Sequence, residues 1–279
     1  MTHAELVAQF RQLHSQQLHS HRPLVLPNAW DASSARVIER AGALAIATTS
    51  AGVAWAHGYG DGQQLERDLM IAAIREIVRA VKVPVTADIE GGYGSEHDLA
   101  TTVRAMIEAG AVGINLEDSP GLNGESLLSA EMHAARIRAA RSAAQSLGTD
   151  LVINARTDVF LLQVGSLESR LGEAVRRANL YHAAGADCLF VPGVIDAVTI
   201  VELVQGIDGP INIMVRPGAP TLAELGELGV ARVSLGPALA LAALAATQRV
   251  ALELLEAGTY NELESALSFA DANGLFARV

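Results

Sequence analysis

Val83-Pro-Val-Thr-Ala-Asp-Ile-Glu-Gly-Gly-Tyr-Gly94 decides the fold: an apolar run ends in two acids and then opens into glycine. Read as a buried strand running into a loop, it sets Val83, Val85 and Ala87 on one phase and Asp88 with Glu90 on the other, because side chains two apart on a strand share a face. Both carboxylates then point the same way from the C-terminal end of the strand, where glycine lets a ligand approach the backbone. A solvated strand end carrying two unrelated surface acids is the plainer reading of this stretch taken alone.

Working outward, the same strand-then-helix alternation recurs along the chain. Ala4 to Gln17 has helical spacing and reads as a lead-in helix within residues 1–22. Leu24-Val-Leu26 is a strand, followed by the turn Pro27 to Asp31 and a helix from Ser33 to Ala41 closed by Gly42. Leu44 to Thr49 is the second strand. It runs into Ser50 to Gly62, whose spaced glycines predict a mobile loop able to close over a site.

Beyond the opening stretch, strands are predicted at Gly113 to Asp118, Leu151 to Asp158, Cys188 to Val191, Ile211 to Val215 and Arg232 to Leu235, each followed by a helix. Eight strands with eight following helices and no linker predict a single α/β domain over residues 1–279, a (β/α)8 TIM barrel. No G-x-G-x-x-G turn follows the first strand, which disfavours a dinucleotide fold. The tail, residues 258–279, adds apolar positions at Leu263, Leu267 and Phe269 beyond what a barrel needs, and predicts an oligomer.

Composition agrees with a packed α/β chain: 279 residues, 50% hydrophobic and 18% charged, with mean hydropathy +0.27. A formal net charge of -11 with no basic block argues against nucleic acid or an anionic membrane as partner. The lone Cys188 excludes an internal disulfide and any multi-cysteine metal site, and in its apolar run reads as a packing residue. Met1 to Gln17 lacks the continuous apolar core of a signal peptide, and the apolar run Pro237 to Thr247 is too short to span a bilayer, so a cytoplasmic protein is expected.

In a barrel of this kind the site lies at the C-terminal strand ends. Ser50 follows the second strand, Asp88 and Glu90 the third, Glu117 and Asp118 the fourth, and Arg156 and Asp158 the fifth. Crowded carboxylates repel unless a cation sits among them, and oxygen-only ligands favour Mg2+ or Mn2+. The alternative is that Arg residues around the rim neutralise these acids. Arg156 suits a carboxylate or a developing oxyanion, and Ser50-Ala-Gly52 could offer N–H groups and a hydroxyl to a substrate carboxylate. Such parts describe a divalent ion chelated by a 2-oxo acid, polarising its carbonyl so that a bond to the adjacent carbon can break. His57 and Tyr59, in the loop, are candidates for proton transfer.

Five stretches in order, Leu26-Pro-Asn-Ala-Trp-Asp31, Thr49-Ser-Ala-Gly52, Thr86 to Gly94, Gly113 to Asp118 and Asn154-Ala-Arg-Thr-Asp158, resemble motifs of the isocitrate lyase and phosphoenolpyruvate mutase superfamily. The likeness runs from about Leu24 to Pro237. It implies a homotetramer, a dimer of dimers, with the last helix exchanged between neighbours. It also implies Mg2+ at Asp88, directly or through water, with Glu90 and Glu117 around it and Asp61 near the metal shell. Ser50, Ala51 and Gly52 would hold the substrate carboxylate, and Arg156 would steady the reacting group. Asn123 would be the counterpart of the gating-loop residue of the mutases. The implied catalytic set is Arg156, Asp61 and Glu117.

Two departures narrow the expectation. The Lys-x-Cys-Gly-His stretch of the isocitrate and methylisocitrate lyases is replaced by Pro120-Gly-Leu-Asn-Gly-Glu125, and Glu90 stands where the mutases usually carry Asp. The expected function is a Mg2+-dependent carbon–carbon lyase acting on a small 2-oxo or 2-hydroxy di-acid, with oxaloacetate decarboxylation as the simplest example. The alternatives are a phosphonopyruvate hydrolase or phosphoenolpyruvate mutase type of carbon–phosphorus enzyme, and a barrel that binds a 2-oxo acid and Mg2+ without turnover.

Overall fold

A computed structural model describes residues 1–20, 22–119 and 127–276. Helix α1 (His3–Ser20) leads into strands β1 (Leu24–Leu26) and β2 (Asn28–Ala29), then α2 (Ala32–Arg40), β3 (Ile46–Thr48), α3 (Ser50–Ala56) and α4 (Arg67–Ala80). The alternation continues through β4 (Val85–Asp88), α5 (Glu96–Glu108), β5 (Gly113–Glu117), α6 (Ala130–Ser146), β6 (Val152–Arg156) and α7 (Leu167–Ala183). It ends with β7 (Cys188–Phe190), α8 (Ala197–Gly206), β8 (Ile211–Met214), α9 (Leu222–Glu227), β9 (Arg232–Ser234), α10 (Ala238–Leu252) and the short α11 (Phe269–Gly274).

Among the described residues all nine strands pair in parallel, in the order β1-β9-β8-β7-β6-β5-β4-β3-β2, giving a nearly closed, TIM-barrel-like sheet. The expected first strand, Leu24–Leu26, stands, but the turn expected from Pro27 to Asp31 holds a further short strand, Asn28–Ala29, and Pro27 separates the two. It has no N–H to give, so the chain swivels there. Leu24–Leu26 pairs with the last strand, while Asn28–Ala29 pairs with β3. The two ends of the strand order are thus neighbours in sequence, which brings the sheet around on itself.

A second correction concerns Ser50 to Gly62. Its first half is the buried helix α3, whose N-cap Thr49 accepts a hydrogen bond from the Gly52 N–H. Gly52 is there for packing: a Cβ on it would lie 2.8 Å from both Trp30 Cβ and Thr49 Cγ2, and 3.2 Å from Ala240 Cβ.

Strand alternation sorts the sheet's two faces. Ile114, Leu116, Ile153, Ala155, Leu189, Ile213 and Val233 pack outward against the helices in the main core. The opposite phase faces the barrel lumen. At the N-terminal ends of the strands, Val7, Phe10 and Leu13 of α1 pack on Leu24, Leu26, Ala45, Ala47, Val112 and Val152, closing that end.

At the other end of the chain, α10 continues through a π-helical turn at Glu253–Ala257. The continuous helix Ala238–Ala257 is long and apolar enough, by length and composition, to cross a membrane, and only 6% of it is buried in this chain. The apolar run Pro237 to Thr247 is the first half of this helix, which the sequence also places over Ala238 to Ala257 and which takes in Arg249, Glu253 and Glu256. Leu241, Leu244, Leu252 and Leu255 are exposed on it, as are Leu263, Leu267 and Phe269 in the tail.

Candidate active site

Asp88, the last residue of β4, is fixed from three directions. One carboxylate oxygen accepts the Ser50 N–H at 3.0 Å and the Ser50 hydroxyl at 2.9 Å; the other accepts Asn115 Nδ2 at 3.0 Å. Its own N–H donates to Thr48 Oγ1 at 2.8 Å. The first turn of α3, beginning right after β3, brings Ser50 there, and Asn115 is its register partner on β5. Asp88 lines a cavity of about 170 Å³ together with Ser50, Ala51, Asp61 and Arg156 near the mouth.

Glu90 does not share the face of Asp88. The strand ends at Asp88, and Glu90 has φ +51, a left-handed backbone that turns it out of the strand phase. It is buried and accepts the Gln63 N–H and, at 3.1 Å, the Tyr93 hydroxyl. Gln63 and Tyr93 are also left-handed, at φ 60 and 58, and the Tyr93 N–H donates to Gln63 Oε1 at 2.9 Å. Three strained residues are therefore tied to one another beside the site, which is where backbone strain collects when surrounding contacts over-determine it. Burial, then the fields of Asp88 and Asp61, push the Glu90 carboxyl up to about 7. Asp61, half-buried, is raised by burial and by Asp88.

Glu117 ends β5 opposite Arg156, its register partner at the end of β6. Arg156 Nη1 lies 2.7 Å from Glu117 Oε2 and its Nε 2.6 Å from Asp158 Oδ1, with Nη2 donating to Asp158 Oδ2 at 3.1 Å. Burial raises the Glu117 carboxyl well above the usual range; Arg156 works against this, while Asp158 and Asp88 add to it. For Arg156, burial opposes the charge, but Asp158 and Glu117 outweigh it and hold the guanidinium protonated. The reading of rim acids neutralised by arginine thus holds for Glu117 and Asp158.

Asp118 was expected at the mouth. Odd and even strand positions point to opposite faces, and Asp118 is turned into the helix layer, fully buried. It accepts hydrogen bonds from Arg177 Nη1 at 3.0 Å, the Tyr181 hydroxyl at 2.7 Å, Thr157 Oγ1 at 2.7 Å and the Asp158 N–H at 2.9 Å. It therefore acts through Asp158, which in turn orients Arg156.

Of the expected site residues, Ser50, Ala51, Asp61, Asp88 and Arg156 line one cavity; Gly52, Glu90 and Glu117 do not. Asn123 lies outside the described residues. The expected direct ligand set Asp88, Glu90 and Glu117 is not assembled: among the described residues no group of three or more His, Cys, Asp or Glu side chains could hold a metal ion. Glu117 is taken by Arg156, and Glu90 by Gln63 and Tyr93. What remains for a hard cation is Asp88 itself, with Asp61, Glu90 and Glu117 near enough to be felt electrostatically. Apart from the Met214 thioether, the lining side chains that carry donor atoms are hydroxyls, amides and carboxylates, with no imidazole or thiol among them. That chemistry fits Mg2+, which keeps several waters and takes one or two carboxylates. His57 and Tyr59 are exposed past the end of α3 and do not line the cavity. Cys188 is buried and its thiol is pushed up to about 11 by burial, leaving it inert.

Sequence reading missed the depth of the cavity. Asn28, Thr86, Asn115, Asn154, Asn212, Arg232 and Ser234 line it below Asp88, where barrels usually carry branched apolar layers. The signal was present: Thr86, Asn115 and Asn154 stand two residues before Asp88, Glu117 and Arg156, on the same phase. Asn154 Nδ2 donates to Asn115 Oδ1 at 2.7 Å, which continues the chain of amides to Asp88.

Residues 10–255 match the family model described as phosphoenolpyruvate phosphomutase. An uncharacterised protein of Mycobacterium tuberculosis is 37% identical over 227 residues, 81% of each chain. The 2-methylisocitrate lyase of Halalkalibacterium halodurans is 30% identical over 231 residues, 81% of this chain and 69% of its own. Among solved structures, a lyase/mutase candidate from Burkholderia cenocepacia superposes with TM-score 0.89 at 37% identity, covering 99% of this chain and 97% of that one. A phosphonopyruvate hydrolase in complex with oxalate and Mg2+ superposes with TM-score 0.81 at 26% identity, covering 95% and 93%. Carbon–carbon lyases and carbon–phosphorus enzymes thus stand together among its relatives, and the chain belongs to the phosphoenolpyruvate mutase/isocitrate lyase superfamily.

Proposed function

We propose that the protein is a Mg2+-dependent lyase that cleaves a carbon–carbon bond of a small 2-oxo or 2-hydroxy di-acid, with oxaloacetate decarboxylation as its simplest form. The carrying observation is Asp88, held at the cavity mouth by Ser50 and Asn115 within the field of three other carboxylates and beside Arg156. Mg2+ would be held by Asp88, with Asp61 facing the same cavity and Glu90 and Glu117 adding only their field. When bound, it supplies a Lewis acid at the substrate carbonyl.

The chain's own residues do the rest. Arg156, locked by Asp158 and Glu117, presents a fixed positive charge to the oxygen on which negative charge develops. Asp61 is the cavity-lining acid with a raised carboxyl and is placed to hold or accept a proton. Ser50 spends both its N–H and its hydroxyl on Asp88, so it positions that acid, which leaves Ala51 as the backbone neighbour of the substrate carboxylate. A cavity of about 170 Å³ suits a small acid and is below the 300–1,000 Å³ typical of sites for larger ligands. The exposed apolar helix Ala238–Ala257 and the exposed tail would be covered by other copies of the chain in a homotetramer.

The test is turnover: small 2-oxo and 2-hydroxy di-acids are supplied with Mg2+ and pyruvate release is followed, with phosphate release from phosphonopyruvate as a parallel arm. Pyruvate from a di-acid supports the reading. Phosphate from phosphonopyruvate alone moves the protein to the carbon–phosphorus enzymes, and no turnover of any of them makes it a binding barrel.

A further inference from the structure

Arg232 opens β9 at the inner end of the cavity, 2% exposed. Its Nε and Nη1 have no hydrogen-bond partner among the described residues, and no carboxylate among them forms an ion pair with it. Around it the same condition repeats. Thr86 Oγ1, Asn154 Oδ1 and Asn212 Nδ2 are buried and unpartnered, and all three residues line the cavity. Asn212 is Arg232's register partner on β8, with its Oδ1 3.2 Å from the Ser234 hydroxyl that donates to it.

Nothing behind Arg232 neutralises it. Cys188 is a neutral thiol at pH 7, its value raised by burial to about 11. His14 of α1 is kept uncharged, pulled down to about 4 by burial and by Arg232 itself. Asp187, the acid on that side, is already bound by Arg11 at 3.1 Å and by Arg141 at 2.5 Å. A buried guanidinium without a protein partner is costly, and such costs are retained where a ligand repays them.

We propose that Arg232, flanked by Asn212 and Asn154, forms an inner anion subsite that receives the second carboxylate of a di-acid whose 2-oxo end lies at Asp88. The two cations of the cavity then divide the work: Arg156 at the mouth faces the reacting end, and Arg232 at the floor selects dianionic over monoanionic ligands. This rests on the reading of the cavity as a site for 2-oxo di-acids, and it assigns the residues that recognise their distal carboxylate.

The experiment measures affinity with Mg2+ present for pyruvate and for a series of 2-oxo di-acids (oxaloacetate, 2-oxoglutarate and 2-oxoadipate) on the native chain, Arg232→Met and Arg232→Lys. Thermal unfolding without ligand is recorded for each. The native chain is expected to bind at least one di-acid ten times or more tighter than pyruvate. Arg232→Met is expected to bring the two within threefold while pyruvate affinity holds, and Arg232→Lys to restore part of the preference. The unliganded melting temperature of Arg232→Met is expected to stay level or rise, because an unpaired buried charge has been removed. A di-acid preference that survives in Arg232→Met overturns the proposal. So does a fall in its melting temperature with loss of all binding, which would make Arg232 structural. Failure of the native chain to bind even pyruvate would instead overturn the 2-oxo-acid reading, and the subsite with it.

Discussion

Replacing Arg156 by Met leaves Glu117 and Asp158 without their cation in a place where neither can reach much water: they are 7% and 1% exposed. The guanidinium contacts them at 2.7, 2.6 and 3.1 Å, so three charge-assisted contacts vanish at once. Removing one partner of a buried pair costs about 3–5 kcal/mol, because the remaining charge stays desolvated. At roughly 2–4 °C per kcal/mol for a domain of this size, the melting temperature at pH 8 should fall by roughly 6–20 °C. The sign with pH follows from Glu117, whose folded carboxyl is already raised above its unfolded value of 4.5. Without Arg156 the native state takes up a proton more readily than the unfolded state. The loss is therefore small near pH 5 and grows as pH rises. Thermal unfolding followed by circular dichroism at pH 5 and pH 8 reads both effects, and Glu117→Gln in the Arg156→Met background should recover part of the loss at pH 8. A melting temperature within about 2 °C of the native chain at both pH values would refute the buried-pair reasoning.

Other expectations follow from the same geometry. Glu90→Gln removes a carboxyl raised from 4.5 to about 7, a cost to the native state of roughly 3 kcal/mol once it is ionised. The native chain should lose stability as pH rises from about 5 to 7, and urea titrations of Glu90→Gln should show that slope flattened; an unchanged slope counts against it. Gly52→Ala forces a Cβ against Trp30 and Thr49, and should cost about 1–3 kcal/mol in denaturant unfolding with pyruvate affinity retained. If affinity is lost and stability kept, Gly52 belongs to the ligand site after all. Cutting the chain after Ala257 should reduce the assembly seen by size-exclusion chromatography with light scattering, and a truncated chain that still runs at the native mass refutes the tail's role.

Much of the barrel was legible because alternation of apolar strands and amphipathic helices is a local property. The exceptions have local physical causes. Pro27, which cannot donate a ladder hydrogen bond, signals a turn and so hides the short strand Asn28–Ala29 that follows it, and Thr49 caps a helix where glycine spacing suggested a loop. At the site, Asp88, Ser50, Ala51 and Arg156 could be found from the strand ends they close or follow, whereas Asp61, which lies past α3, came from the family likeness alone. Glu90 could not be placed correctly, because its left-handed backbone is imposed by Gln63 and Tyr93 and breaks the period of two. Asp118 was misplaced for the opposite reason: the period holds, and sends it away from the lumen toward Arg177 and Tyr181. Arg232 was overlooked because an arginine opening a strand reads as a surface residue until the barrel closes around it.

The most direct test is calorimetric titration of oxalate into the protein with and without Mg2+, on the native chain and on Asp88→Ala. Oxalate should bind the native chain only when Mg2+ is present, and Asp88→Ala should show no such Mg2+ dependence while remaining folded. Equal oxalate affinity with and without the ion, or an undiminished Mg2+ effect in Asp88→Ala, would contradict the assignment of Asp88 as the residue that holds the metal and, through it, the 2-oxo acid.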